Sequence, residues 1–253
     1  MFEMSGFHKK VTELILDTPA PGKHCARNAI AHIKKAWEIR EIDPEMAVFR
    51  AITGEEEAAT AIMHSLQRRK YKGAEKLKYR DHTYKAALFP FFQGISGSFA
   101  RHLEQFKVAL EIDTKDKKPT IKTRINVPGP TGDIMHAYPN PPLHFEITVN
   151  GKIYDFSREL KELATVKNVK KITDYIKRQA NTRNVILYAS TQGIPKIKLP
   201  IEGFLERKRS IVFGHLVIYL LIDQHKEHQL FVQQALTAFL KMLNAVPRDI
   251  IFA

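Results

Sequence analysis

The 253-residue sequence predicts a mainly α-helical protein, a helical bundle that carries a small inserted antiparallel β-element. Apolar residues recur at helical spacing over three long stretches, residues 24–42, 44–69 and 83–109. Between residues 110 and 156 the pattern changes to β-branched runs separated by prolines, which is typical of strands and turns. Because 44% of the residues are hydrophobic, we expect a single helical domain over residues 1–253 with a sizeable core and a β-rich insertion at 110–156.

Local signals set the boundary between the first two long helices. Asp43 is a natural N-cap, and Pro44 suits the first helical position because its missing N–H has no intrahelical partner there. Gly54 interrupts the second helix and predicts close approach of another backbone. Before these helices, residues 11–16 predict a short helix or strand.

Turn signals organise the second half of the chain. Asn150-Gly151 is a strong hairpin signal between two strand-like runs. The predicted strands cover residues 108–113, 120–127, 144–149 and 152–156, with a proline-rich loop at 128–142. Residues 185–190 suit either a strand or a continuation of the helix before them. The predicted later helices begin at Ser157 and cover residues 169–181, 202–224 and 227–243.

The net charge and the cysteine content indicate which partners and which cellular compartment to expect. The net charge of +13 favours contact with polyanions, of which nucleic acid is the commonest, although a merely basic soluble protein has the same composition. Cys25 is the only cysteine, so no intrachain disulfide can form, which suits the cytoplasm. The N-terminus lacks the basic-then-apolar order of a signal peptide. The longest apolar run, 211–222, is too short for a membrane span, so no membrane partner is expected.

Three consecutive glutamates, Glu55 to Glu57, stand inside the small, apolar second helix. At least one of them must be buried or half-buried, and a buried carboxylate needs a cationic or hydrogen-bonding partner. The nearest candidates along the chain are Arg80, His82 and Lys85, of which His82 and Lys85 share a helix face. Two interpretations stay open: a salt-bridge cluster that fixes a helix crossing, or a ligand-binding or catalytic site.

Other basic residues are candidates for nucleic-acid binding. Arg27 and His32 are separated by four residues on a helix, although chance alone gives about two Arg-to-His pairs of this kind. For Arg27 and His32, the alternative is that they stand at a solvated helix start. For the basic and polar residues just before Tyr188, the alternative is a polar helix end. The predicted nucleic-acid-binding residues are Arg27, His32, Arg68, Arg69, Lys70, Arg178, Arg183 and Asn184.

The sequence gives no reason to expect a metal or cofactor. His225 and His228 lie three residues apart, with His215 more distant, but no third clear ligand accompanies them. The chain also lacks a glycine-rich phosphate loop and the zinc-protease and serine-hydrolase motifs.

The alanine-rich, glutamate-bearing helix followed by an Arg-x-His-x-x-Lys segment resembles the abortive-infection V type of the HEPN superfamily. The matching positions are Glu56 or Glu57, then Arg80, His82 and Lys85. Arg183, followed by Leu187-Tyr188, is similar to a later arginine of that type. The resemblance covers residues 24–105 and 170–195.

The resemblance implies a helical bundle, a homodimer, and a role in antiviral defence on or near RNA, alone or through a protein partner. In an active, metal-independent ribonuclease His82 would be the general acid or base, Arg80 and Lys85 would stabilise phosphate charge, and Glu56 or Glu57 would orient them. Many HEPN ribonucleases carry an Arg-to-His motif on a late helix. Here the late pair, Arg209 and His215, sits in an apolar run. The alternative is a non-enzymatic scaffold with a structural Glu-Arg-His cluster.

Overall fold

The computed structural model describes residues 3–102, 108–114, 119–129, 131–189, 193–197 and 200–244. Its helices are α1 (Gly6–Leu16), α2 (Gly22–Ile39), α3 (Pro44–Arg68), α4 (His82–His102), α5 (Ser157–Val166), α6 (Ile172–Leu187), α7 (Ile201–Asp223) and α8 (Leu230–Asn244), with a short 3₁₀ turn at Ala74–Lys76. Its strands are β1 (Val108–Asp113), β2 (Thr120–Pro128), β3 (Ile134–Ala137), β4 (Thr148–Val149) and β5 (Lys152–Ile153). The predicted class, mainly α with a small antiparallel β-element, is confirmed.

The predicted junction between α2 and α3 forms as its sequence chemistry requires. Asp43 Oδ1 accepts a hydrogen bond from the Met46 backbone N–H at 2.9 Å and so caps α3. A Cβ atom on Gly54 would lie 3.1 Å from the Ala29 carbonyl oxygen and 3.3 Å from the His32 Cβ. The glycine therefore permits the predicted close approach of α2 to α3.

Helix α3 is the central element of the fold. It packs against α2, α4, α6 and α7, and most of its residues are buried. Its neighbours contribute large buried side chains such as Ile33, Phe91 and Tyr219 to one continuous core. A helix surrounded on this many sides has almost no solvent face, so its polar residues must find partners on the helices around it.

The β-element contains two antiparallel sheets. Strands β1, β2 and β3 form one in that order, and β4 and β5 form a hairpin. Asn150 and Gly151 both have positive φ values, 51° and 72°, as the predicted tight hairpin turn requires. Gln224 ties the larger sheet to the end of α7 because its Oε1 accepts from the Ile121 N–H at 3.2 Å.

Several predicted boundaries are wrong. Strand β3 lies inside the stretch predicted as a loop, because Met135 and Ala137 find partners on β2. Of the two possibilities predicted for residues 185–187, the continuation of α6 is the one that forms. Helix α4 is described to His102, and Val108 already belongs to β1, so the predicted helix end near 109 is wrong. The predicted strand at 144–149 shortens to β4, and α8 begins at Leu230 rather than Glu227.

The apolar faces of α7 and α8 pack into the hydrophobic core. Their buried residues include Leu216, Leu220, Leu236 and Phe239. These apolar residues are therefore used within the chain. Within the described ranges, none of the helices combines the length and apolarity needed to cross a bilayer.

Candidate functional site

The three consecutive glutamates of α3 point to three different neighbours. Successive helical residues are about 100° apart around the axis, so adjacent side chains on a central helix face different elements. Glu55 pairs with Lys208 on α7, and Glu56 faces α4 and α6. Glu57 lies beside Cys25 on α2. The acidic run is therefore a set of three separate contacts rather than one acidic patch.

Glu56 is the centre of the candidate site. Its side chain is only 8% exposed, yet it meets three basic groups. The carboxylate accepts from His82 Nδ1 at 2.8 Å and pairs with Lys85 Nζ at 3.1 Å. Arg183 Nη1 from α6 lies 3.5 Å from Glu56 Oε2. We call these four residues the Glu56 cluster, and its positive partners compensate the buried carboxylate.

The geometry at His82 fixes which ring nitrogen is available. A carboxylate can only accept, so Nδ1 must carry the proton that it donates to Glu56. In a neutral imidazole the lone pair is then on Nε2, which lies 3.3 Å from Arg183 Nη1. The His82 side chain is 43% exposed and that of Arg183 29%, whereas that of Lys85 is 12% exposed. His82 and Arg183 therefore form the accessible side of the cluster, and Glu56 and Lys85 its buried side.

A small cleft of about 40 Å³ lies behind the cluster, between α3, α4, α6 and α7. Both buried ion pairs, Glu56 with Lys85 and Glu55 with Lys208, line it. It also contains Gln179 and has room for only a few water molecules. A nucleotide cannot enter, so any polymer must contact the cluster from the surface at His82 and Arg183.

Glu57 has a separate environment. Burial, with a further contribution from the neighbouring Glu57 carboxylate, raises the pKa of Cys25 to about 11. Burial also lowers the pKa of the half-buried His32, and the nearby Arg50 adds to this effect. Glu57 and His32 thus face the α2–α3 interface and lie outside the Glu56 cluster.

Arg80 is not part of the cluster, which differs from the predicted arrangement. Its side chain is exposed, and its guanidinium carbon lies 5.7 Å from the ring centroid of Tyr79. It sits in the segment before α4, where it is free to turn to solvent. Arg183 occupies the place beside Glu56 and His82 that the sequence assigned to Arg80, and it also covers the ring of Phe49 at 5.1 Å.

Of the other predicted nucleic-acid-binding residues, some bind groups elsewhere in the fold and others are exposed to solvent. Arg68 pairs with the buried Asp223 at 2.5 Å, and Arg69 donates to the Asp223 backbone carbonyl. These two arginines join the ends of α3 and α7, which gives them a structural role. Exposed positions are held by Arg27, Lys70, Arg178 and Asn184.

His215 and His228, two of the three histidines considered as possible metal ligands, have different neighbours. His215 is buried in α7 against the edge of Phe92, and His228 stacks on Tyr71 and contacts the Arg69 carbonyl. Across the described part of the chain, no three His, Cys, Asp or Glu side chains gather closely enough to hold a metal ion.

Comparisons with known proteins found no relative of this chain. No protein-family model matches the chain, and neither the curated proteins nor the solved structures give a match. The HEPN resemblance therefore depends on the residue pattern, and the functional argument depends on the geometry of the Glu56 cluster.

Proposed function

We propose that this chain is an HEPN-like protein of prokaryotic defence or toxin type that binds RNA and cleaves it at the Glu56 cluster. The observation that carries the proposal is the contact of a half-exposed His82 with both a buried carboxylate and an accessible arginine. A histidine oriented by a carboxylate is a usual general base, and an adjacent arginine suits a phosphate. The proposal includes a homodimer, which the resemblance implies, and action in the cytoplasm, which the single cysteine suits.

The chemistry needs only groups of the RNA, groups of this cluster and water. Arg183 turns from His82 Nε2 to the phosphate, and this frees the Nε2 lone pair. His82 Nε2 then takes the proton of a 2′-hydroxyl, and the 2′-oxygen attacks the adjacent phosphorus. The bond from phosphorus to the 5′-oxygen breaks and leaves a 2′,3′-cyclic phosphate. The 5′-oxygen takes a proton from water, and the hydroxide that remains takes the proton back from His82, which restores the free base. Arg183 stabilises the negative charge that develops on the phosphoryl oxygens, while Glu56 holds the His82 ring in the required orientation. Lys85 keeps the Glu56 carboxylate in place from the buried side.

A basic segment before α4 supports binding of a polyanion. Between residues 70 and 80 the exposed side chains include five cations and one acid, Glu75. The cations are Lys70, Lys72, Lys76, Lys78 and Arg80. Because the segment ends two residues before His82, a phosphate backbone bound along it would lead to the cluster.

The deciding experiment is RNA cleavage by the purified protein. Total RNA is incubated with the unmodified chain and with His82→Ala and Arg183→Ala, and products are resolved on a denaturing gel. We expect cleavage by the unmodified chain and a loss of about a hundredfold or more in each variant. His136→Ala and Arg158→Ala, at exposed positions on β3 and α5, are the matched controls and should cleave normally. Equal cleavage by all five folded proteins would assign any activity to another site.

Salt dependence tests the basic segment separately from catalysis. The double variant Lys76→Gln/Lys78→Gln removes two exposed charges and should bind single-stranded RNA less tightly. The slope of log K against log salt should fall in magnitude by about 1 to 2, since each phosphate contact with a single strand contributes roughly 0.7. The comparison is Lys161→Gln/Lys170→Gln, exposed on and after α5. Identical slopes in the two double variants would remove this segment from the binding surface.

A non-enzymatic scaffold is the second candidate. The observation that favours it is the depth of the Glu56–Lys85 pair, both members of which are nearly inaccessible. A buried ion pair of this kind fixes the crossing of α3 and α4 whether or not the protein has an activity. If the folded, unmodified chain binds RNA or a protein partner but never cleaves RNA, the scaffold function is correct.

A further inference from the structure

A second cavity lies between α3, α4, α7 and α8 and shares no lining residue with the cleft at Glu56. Its volume is about 190 Å³. Buried side chains from all four helices form its wall, among them Leu66, Phe91, Ile222 and Phe239. None of the lining residues is charged, and Ser96 is the one polar residue among them.

The size of this cavity sets it apart from ordinary packing. Protein interiors contain few voids larger than a water molecule. An apolar cavity of about 150 Å³ stays dry and binds benzene or xenon, because water inside it would lack hydrogen-bond partners. The cavity here is somewhat larger, opens to the surface on one side, and has Ser96 as its one polar lining residue, so a hydrocarbon fits its inner wall better than water does.

The wall of the cavity also provides a route for entry. Ser96 is exposed to solvent, and Phe92 and Ala235 are half-buried, so the lining reaches the surface between α4 and α8. The inner wall is aromatic, because Phe91, Phe231 and Phe239 contribute to it. Aromatic rings pack favourably edge-to-face against such side chains.

We propose that this cavity is a binding site for a small, uncharged, apolar molecule of about the size of benzene or somewhat larger. The ligand enters beside Ser96 and fills the space between α4 and α8. A charged group is excluded because no lining residue compensates it. This site is independent of RNA cleavage, since its residues are distinct from those of the Glu56 cluster.

Thermal unfolding of the full chain with benzene as the probe tests the site. A ligand that binds only the folded state raises Tm in a concentration-dependent manner, so we expect a rise along a binding curve. Benzoate, which has the same ring with a charge, should give no rise. Ala235→Leu fills part of the cavity and should abolish the effect of benzene. Thr237→Leu adds the same side chain at an exposed position of α8 and should retain it.

Two outcomes would overturn the proposal. One is the absence of any benzene-dependent rise in Tm of the unmodified chain. The other is an equal rise in the unmodified chain and in a folded Ala235→Leu variant. If that variant does not fold, crystals of the unmodified chain under xenon pressure test the site instead. Xenon density beside Phe91 and Leu236 supports the site, and its absence there contradicts it.

Discussion

Replacing Glu56 with alanine should lower the free energy of unfolding by about 3–5 kcal/mol, the usual cost of removing one partner from a buried ion pair. The loss arises mainly because Lys85, with 12% of its side chain exposed, is left buried without its carboxylate partner. Arg183 adds to the loss, whereas the more exposed His82 can turn to water. Urea unfolding at neutral pH measures the change, and each kcal/mol should lower Tm by roughly 2–4 °C.

Glu57→Ala is the matched control because it removes the adjacent carboxylate of the same helix. Glu57 is half-buried, so its loss should cost clearly less than that of Glu56. The double variant Glu56→Gln/Lys85→Met removes both charges and should recover part of the stability lost in Glu56→Gln. Together with the single variant Lys85→Met it completes a cycle that measures the coupling energy of the pair. Equal losses in Glu56→Ala and Glu57→Ala would contradict a special role for the Glu56 pair.

The Glu56 cluster thus divides into a part that stabilises and a part that is available for chemistry. Residues that act on a substrate are often neutral or even unfavourable for stability, so His82→Ala should cost little. A large stability loss at Glu56 together with a loss of cleavage at His82 would fit both parts of this division. The two candidate functions therefore differ in what His82 and Arg183 do, and not in whether Glu56 is structural.

The sequence was most informative where contacts are local. The boundary at Asp43-Pro44 depends on the capping chemistry of two adjacent residues, and it formed as predicted. Glu56 meets His82 and Lys85 because α3 and α4 are consecutive α-helices, joined by residues 69–81, that pack against each other. Helical spacing places His82 and Lys85 on one face, so these contacts needed no knowledge of the distant chain.

Contacts between distant segments were not predictable from one sequence. Arg183 lies 101 residues after His82, and Lys208 lies 153 residues after Glu55. Spacing along α6 and α7 gives no information on which of their faces dock against α3. Arg80 was the nearest arginine in sequence and therefore the natural choice, whereas the arginine that lies beside Glu56 and His82 is Arg183. Strand β3 was missed for the same reason, since its short run gains strand structure only by pairing with β2.

Acid should destabilise the protein through His215, a residue outside the Glu56 cluster. Its side chain is 2% exposed and packs against Phe92, with the Glu55 backbone as a nearby hydrogen-bond partner. Burial lowers the pKa of His215 from 6.5 to about 4; nearby Glu55 opposes this shift, whereas Lys208 adds to it. The folded protein therefore keeps this imidazole neutral under conditions in which the unfolded chain protonates it.

The sign of the pH effect follows from proton binding. Between pH 6.5 and 4 the unfolded chain binds more protons at this position than the folded protein, so stability falls as the pH falls through that window. The loss attributable to His215 should be roughly 3 kcal/mol and complete near pH 4. His215→Leu removes the titrating group and keeps an apolar side chain in the core, so its stability should fall less over the same range.

Urea unfolding of both proteins at pH 7, 6, 5 and 4 isolates this effect. Carboxylates titrate in both proteins, so the difference in stability between His215→Leu and the unmodified chain is the informative quantity. That difference should grow in favour of the variant as the pH falls from 7 to 4. His136→Leu, which removes an exposed histidine from β3, should follow the unmodified chain instead. Parallel pH profiles for His215→Leu and the unmodified chain would show that His215 is protonated in the folded protein, or that it is not buried.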